Sequence, residues 1–590
     1  LRSPLVFRTL SSQRFSLPLK RQSCLLQLIM PSSPTPSMRL ATLVLTLSRS
    51  SRPQSALKLP SGGRLWMLRC RLSAFTWVLL SAVPAGVRIL SCKWVYKIKP
   101  EKYKARIVVR GDQQDLDDKV ATYSPTLKSI TLRLLLALAS YLGWSLWQMD
   151  VCNAFLNAPL PDDTPVFMYS PKGYERPGQA IRLRKALYGL KQSPRQWFDT
   201  LKSFLCSPQL GLTQCPVDAC LFLLVVKEVV VLLVGIHVDD LVLVGIDSHL
   251  QWLRSALLQE FKMEDIGRPT CVLGMDIDLR SDGSIHLFQS SYITKLQHRF
   301  NFEDCKSEDT PMSSTVRFTK DDCTKPGDTP PTFPYRELVA CLLFVSISTR
   351  PDIAFTVKEL SRWLNCFGAK HVAVAKQCIR YLAGTKQLGL LYHHRFTSVL
   401  GGVFYSRIRL PSEFPDVVCA FSDADWAGQL DDRKSTSGMV LMFNGTAITW
   451  WSRVIHLVAC SSQDAEFMAL SDACREVVFI QSLLNSIGFH VDKTTLFGDN
   501  KGSLCLAKDP ADHQKSKHIA VRYFFIRQRV EMQQVQVFYV KTTEQLADLL
   551  TKALATAQHT SLTLAVLGHS ASAALLAFYA DPATRGVRFA

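Results

Sequence analysis

Between Leu221 and Gly245 the chain reads LFLLVVKEVVVLLVGIHVDDLVLVG, and this stretch restricts the fold more than any other. It is too rich in valine to prefer helix, and Lys227-Glu228 offers a turn between two strands. His237-Val238-Asp239-Asp240 makes a second break before Leu241 to Val244 resume as strand. A membrane span would need about 18 apolar residues without charge, which these four charged positions deny. Two adjacent carboxylates on a tight turn backed by apolar strands read in two ways: as an ordinary solvated turn, the commoner case, or as a rigid anionic point that favours a divalent cation.

A third carboxylate, Asp150, ends another strand-like segment in QMDVCNAFLNAPL, and LYGLKQSPRQWF follows at Leu187 to Phe198. Together with the Val238-Asp239-Asp240 box, these strings resemble the reverse transcriptase of copia-type long-terminal-repeat retrotransposons. The resemblance covers residues 92 to 554. It implies an α+β right-hand polymerase with fingers, palm and thumb, followed by a helical connection and an α/β ribonuclease H-like domain. The expected divisions are 1–91, basic, low in complexity, disordered or out of frame; 92–310, fingers and palm; 311–400, thumb and connection; 415–554, ribonuclease H-like; and 555–590, a tail with no counterpart.

Charge qualifies the idea of a nucleic-acid partner. Sixteen of the twenty net positive charges lie in the first hundred residues, which contain no Asp or Glu, leaving +4 for residues 101–590. Bulk charge is therefore weak evidence for a polyanionic ligand. The 17 cysteines form no C-x-x-C pair and no Cys/His set with zinc spacing, which fits a reducing compartment. No small-residue cleavage site marks a targeting peptide. The chain is expected to act inside the cell, in a cytoplasmic particle or the nucleus, without secretion or membrane attachment. With no protease triplet, integrase zinc head or nucleocapsid knuckle in view, it is expected to be the end of a polyprotein.

Lys93 to Lys99 alternates as a strand and Tyr103 to Gly111 reads as its partner, similar to a polymerase fingers hairpin with a short tip at Pro100-Glu101. By resemblance, Lys104 and Arg106 grip a triphosphate, against the plain reading of a solvated strand face. Phe155 stands where the family places an aromatic ring against the sugar of the incoming nucleotide; read alone, it is a core phenylalanine. Gly189 permits close backbone approach, while Lys191 and Arg195 supply charge for nucleotide or template. The segments Tyr335 to Leu364 and Lys376 to Leu390 read as amphipathic helices of the thumb and connection.

A second set of carboxylates starts after Val417. A strand leads into Asp423, Asn444-Gly445 is a hairpin signal, and Ser461 or Ser462 caps a helix with Glu466 in its first turn. Asp499 follows a strand, and Gln545 to Lys552 reads as a final helix carrying Asp548. Four carboxylates on such elements converge only in a mixed α/β fold. The strings SDADWAG, DAEF, GDN and QLADLLTK resemble the copia-type ribonuclease H.

The resemblance implies two divalent cations, magnesium or manganese, in each site. Asp150 and Asp239 would be metal ligands of the polymerase with Asp240 assisting; Asp423, Glu466, Asp499 and Asp548 would be ligands of the nuclease. Implied partners are RNA template, DNA primer, RNA-DNA hybrid and deoxynucleotides, with oligomeric state open. Departures from the family pattern are His237 for Tyr or Phe, Ser452-Arg453-Val454-Ile455 for a basic string, and Ala520 and Phe524 for a polar pair. These leave two alternatives beside the two-activity polymerase: a polymerase-dead remnant retaining ribonuclease H, or a degenerate remnant that only binds nucleic acid.

Overall fold

The computed structural model describes residues 75–99, 102–115, 121–329, 331–394, 418–508 and 520–570. The first elements are β1 (Phe75–Leu79), β2 (Ile89–Leu90) and the hairpin of β3 (Cys92–Lys99) and β4 (Lys102–Val109), followed by helix α1 (Ser129–Leu142) and β5 (Ser145–Val151). Next come β6 (Val166–Met168), β7 (Gln179–Leu183), α2 (Ser193–Leu205), β8 (Thr213–Gln214), β9 (Leu221–Val226), β10 (Val229–His237) and β11 (Asp240–Gly245). Helix α3 (Asp247–Glu260) and β12 (Met263–Gly267) complete the palm, whose six-stranded sheet runs β12-β5-β11-β10-β9-β8.

Local chemistry accounts for the centre of this sheet. Strands β9 and β10 are antiparallel about Lys227 and Glu228, both at positive φ (51° and 64°), so the two-residue turn matches the strand twist without glycine. Helix α1 is apolar almost all round because Thr131 to Ser140 are all buried, and it stops where Gly143 turns left-handed (φ 66°) and donates its N–H to Ala139 and Ser140 carbonyls.

A bridging sheet follows: β13 (Cys271–Val272), β14 (Met275–Leu279), β15 (Ile285–Phe288) and, after four helices, β16 (Gly389–Tyr392). Those helices are α4 (Ser290–Phe300), α5 (Tyr335–Ser348), α6 (Ala354–Arg362) and α7 (Ala369–Gly384). They enclose a core of their own in which Ile293, Leu296 and Phe300 of α4 pack with Leu338, Leu342 and Ile379. Helix α4, which precedes residue 310, thus shares its core with the helices that follow.

The last part contains β17 (Val418–Asp425), β18 (Thr436–Phe443), β19 (Thr446–Val454), α8 (Ser462–Ser486), β20 (Thr494–Gly498), α9 (Lys501–Lys508), α10 (Ala520–Glu531) and β21 (Val535–Tyr539). Its sheet order is β19-β18-β17-β20-β21, antiparallel on the β19 side and parallel from β17 to β21, with α8 against β17. Ser461 caps α8, accepting from the Asp464 N–H at 3.1 Å.

Two stretches outside the span of the resemblance also carry regular structure. Within the stretch 1–91, β1 pairs antiparallel with β7 and β2 pairs parallel with β6. The partners lie some hundred residues downstream, so no local period announces them. Beyond Leu554, α11 (Thr556–Val566) packs on the connection, and His559 Nε2 meets the Asp352 carbonyl at 3.2 Å. That carbonyl belongs to a buried ion pair, Arg350–Asp352 at 2.7 Å, whose carboxylate also accepts from the Tyr381 hydroxyl. The Gln545 to Lys552 helix is only a short 3-10 segment, Leu546–Leu550. Residues 1–74 and 571–590, and with them most of those two expected divisions, lie outside the described residues, as do Lys517 and His518. One apolar core runs without a break from the palm through the last sheet.

Candidate active sites

At the palm, Asp150 ends β5 and Asp240 opens β11 directly opposite it, while Asp239 sits in the turn. Val238 takes φ 59° there, a conformation costly for a β-branched residue. Two bonds hold it: Trp197 Nε1 donates to the Val238 carbonyl at 2.6 Å, and the Val151 N–H donates to the Asp239 carbonyl at 2.9 Å. Trp197 itself is buried in α2, so the LYGLKQSPRQWF string supports the aspartate turn from beneath. Burial, then the charges of Asp239 and Asp150, push the Asp240 carboxyl up to about 6, although Gln148 Nε2 donates to it at 3.3 Å. Burial holds His237 below the usual imidazole range, so a neutral ring stands beside this anionic turn.

Phe155 lies in a short 3-10 segment, Ala154–Asn157, and its ring centre is 4.7 Å from that of Tyr188. The Arg106 guanidinium lies 5.2 Å from the Tyr188 ring centre. Asp150 and Asp239 both act on the Tyr188 hydroxyl electrostatically, so arginine, two aromatic rings and carboxylates form one wall. Tyr188 was not among the candidate residues, although it stands inside the quoted string. Lys104 is opposite Lys97 in the hairpin; its side chain lies outside the described residues.

Gly189 has φ +98°, and a Cβ there would meet the Val109 carbonyl oxygen at 1.9 Å. The close approach inferred from its sequence is therefore to β4 itself, sealed by Val109 N–H to the Tyr188 carbonyl at 2.8 Å. Lys191 and Arg195 are not gathered at the carboxylates: Lys191 Nζ donates to the Gln114 carbonyl at 2.7 Å, and Arg195 pairs with Asp199 one turn along α2 at 2.6 Å. The Arg195 partner lies at helical i,i+4 spacing, whereas the Lys191 partner is 77 residues away in sequence, where spacing could not reveal it.

In the last domain, Asp423 on β17, Asp499 after β20 and Asp548 in the 3-10 segment bring carboxylate oxygens within 4.8 Å of one another. Glu466 in α8 adjoins them, accepting from the Ala424 N–H and touching Asp423. Burial first, then Asp423 and Asp499, raise Glu466 well above the carboxylate range; burial and Asp423 push Asp548 up to about 8. Burial and Asp423 raise Asp499 as well. Among the described residues one cation pairs with this cluster: Lys552 Nζ lies 2.9 Å from Asp548 Oδ1. Thr551 donates to Asp423, and Thr542 Oγ1 donates to Asp499 at 2.9 Å. Lys552 and Thr551 were missed as site residues although QLADLLTK and its flank contain both. Phe524, one of the family departures, is exposed.

Both clusters consist of hard oxygen donors with excess negative charge, the donor set suited to magnesium or manganese and not to zinc. The raised carboxyls of Asp240, Glu466, Asp499 and Asp548 reflect burial beside other carboxylates, the setting a divalent cation would relieve. The residues fit the implied ions.

Comparison with known proteins gives a consistent result. Residues 75–314 match the family described as reverse transcriptase (RNA-dependent DNA polymerase). The Retrovirus-related Pol polyprotein from transposon TNT 1-94 of Nicotiana tabacum is 33% identical, over 80% of this chain and 35% of its own length. That from transposon RE1 of Arabidopsis thaliana is 34% identical, over 87% of this chain and 34% of its own. The chain thus spans about a third of these relatives. A solved foamy viral protease-reverse transcriptase in complex with double-stranded DNA aligns over 91% of this chain and 84% of its own at 12% identity, with a TM-score of 0.47.

Proposed function

We propose that this protein copies RNA into DNA and degrades the RNA of the resulting hybrid: residues 75–314 match the reverse transcriptase family, and most of the chain is similar to Pol polyproteins of transposons. The observation that carries the reading is the pair of separate carboxylate clusters, one across the paired strands β5 and β11, the other gathered from β17, β20, α8 and the Leu546–Leu550 segment.

In the palm, Asp150, Asp239 and Asp240 would hold divalent cations. Bound there, such ions acidify the primer 3′-hydroxyl and neutralise the triphosphate in an in-line displacement at phosphorus. The chain's own residues do the positioning. Arg106 offers a charge-assisted fork to triphosphate oxygens. Phe155, wedged by Tyr188, has little freedom to swing away and so excludes a ribose 2′-hydroxyl by contact. Gln148 restrains the Asp240 carboxylate. In the nuclease, Asp423, Glu466, Asp499 and Asp548 would hold the ions, Thr551 and Thr542 fixing two of the carboxylates and Lys552 a third.

The test is primer extension on an RNA template and, in parallel, cleavage of an RNA-DNA hybrid by the full chain with magnesium or manganese, beside D239N and D423N. Each substitution should abolish one activity and spare the other. Cleavage without extension would leave a polymerase-silent nuclease; the absence of both from folded protein would refute the reading.

A further inference from the structure

Arg133 sits in the middle of α1, among leucines, and is 5% exposed. An ionised guanidinium in such a place is costly unless something replaces its water. No Asp or Glu acts on it electrostatically among the described residues. Instead Nε donates to the Ile448 carbonyl in β19 at 2.7 Å, and Nη1 donates to the carbonyls of Ile347 and Ser348, the end of α5, at 2.8 and 3.0 Å. The Trp450 ring centre lies 4.3 Å from the guanidinium, and Trp450 Nε1 donates to the Ser346 carbonyl at 2.9 Å. A helix C-terminus and an aromatic face thus stand in for a carboxylate. Because these acceptors are backbone atoms, they cannot swing with a side chain.

Three parts of the chain meet at this one residue. On one side, α1 packs on the palm strands β5 and β11 that carry Asp150 and Asp240. On the other, β19 is laddered to β18, and β18 to β17 with Gly438 opposite Asp423. A shift of β19 on α1 would move one carboxylate cluster relative to the other.

We propose that Arg133 is a positioning residue that sets the distance between the two carboxylate clusters, so that RNA is cut at one spacing behind the primer terminus. The inference rests on the two-activity reading above. It differs from a purely structural role in what it predicts: a spread of cut positions, with the rate of each reaction retained.

The experiment maps cuts in an end-labelled RNA template annealed to a DNA primer, using the full chain with magnesium and no nucleotides, for wild type, R133M and R133K. Wild type should give one dominant cut. R133M, which keeps the apolar stem but loses the donors, should lower the ratio of that cut to its neighbours by about tenfold, the effect of about 1.4 kcal/mol. Extension and total cleavage should stay within about twofold, on a scale where tenfold corresponds to about 1.4 kcal/mol. R133K, with one amine for three carbonyls, should fall between, and serves as the test if R133M does not fold. An unchanged cut pattern in folded variants would overturn the proposal. If wild type cuts no hybrid, the two-activity reading fails by itself. The pin is then judged by the distance between spin labels placed on the palm and on the last domain: one narrow distribution in wild type and a broader one in R133M, and an equally narrow one in both would overturn it.

Discussion

Replacing Asp548 with asparagine should make the metal-free protein more stable at neutral pH while removing the hybrid cleavage proposed above. The carboxyl is 1% exposed on its side chain, and burial plus the Asp423 charge move it from 3.8 to about 8. Its folded value is above its unfolded value, so the native state binds the extra proton, and stability falls as pH rises through that window. The slope is about 1.4 kcal/mol per pH unit for one carboxylate, and about three units separate its unfolded value from pH 7, which gives about 4 kcal/mol. Asparagine has no such term, although Lys552 loses its ion pair and returns part of the gain. Urea midpoints of wild type and D548N, measured with a chelator from about pH 5 to about pH 8, should diverge as pH rises. Magnesium should raise the wild-type midpoint and have less effect on D548N, since it binds the native carboxylates. Parallel midpoint curves would refute the reasoning, because they would mean that Asp548 titrates in the native state as it does in the unfolded one.

Phe155→Val should raise ribonucleotide use relative to deoxyribonucleotide use by about 10-fold or more, read as the ratio of kcat/KM values, because the ring that would meet the 2′-hydroxyl is gone. Asp352→Asn should destabilise the protein by about 3–5 kcal/mol in urea, since it leaves the wholly buried Arg350 charge without its anion; the double substitution R350M/D352L should recover much of the loss. Gly189→Ala should cost about 2–3 kcal/mol and weaken extension more than hybrid cleavage, measured side by side, because its Cβ collides with the Val109 carbonyl and displaces the hairpin that carries Arg106.

Where a residue's role depended on its near neighbours in sequence, reading was direct. The Lys227-Glu228 and Asn444-Gly445 turns, the Asp239-Asp240 break and the Ser461 cap all follow from local pattern, and each is in place. Roles set by distant partners were hidden. Nothing near Lys191 in the chain indicates that Gln114 takes its amine, and nothing near Phe75 indicates a strand partner at Leu183. Tyr188 illustrates the middle case: the string that contains it was quoted, but its place between Phe155 and Arg106 emerges only when the fingers and palm are folded together. The helix Thr556–Val566 is hidden for another reason: its sequence, rich in threonine and alanine, carries little amphipathic signal, and its buried side chains meet distant partners, His559 at the Asp352 carbonyl and Leu562 in the core shared with the last sheet.

The unbroken apolar core shared by the palm and the last domain bears on which changes the protein can tolerate. Tyr141 of the palm meets Phe443 edge-on, and Trp144 meets Phe489 in the same way, so severing the chain between the two would strand aromatic faces on both halves. Truncation between the two would expose apolar surface on both pieces, whereas a point substitution at either carboxylate cluster leaves the shared core in place.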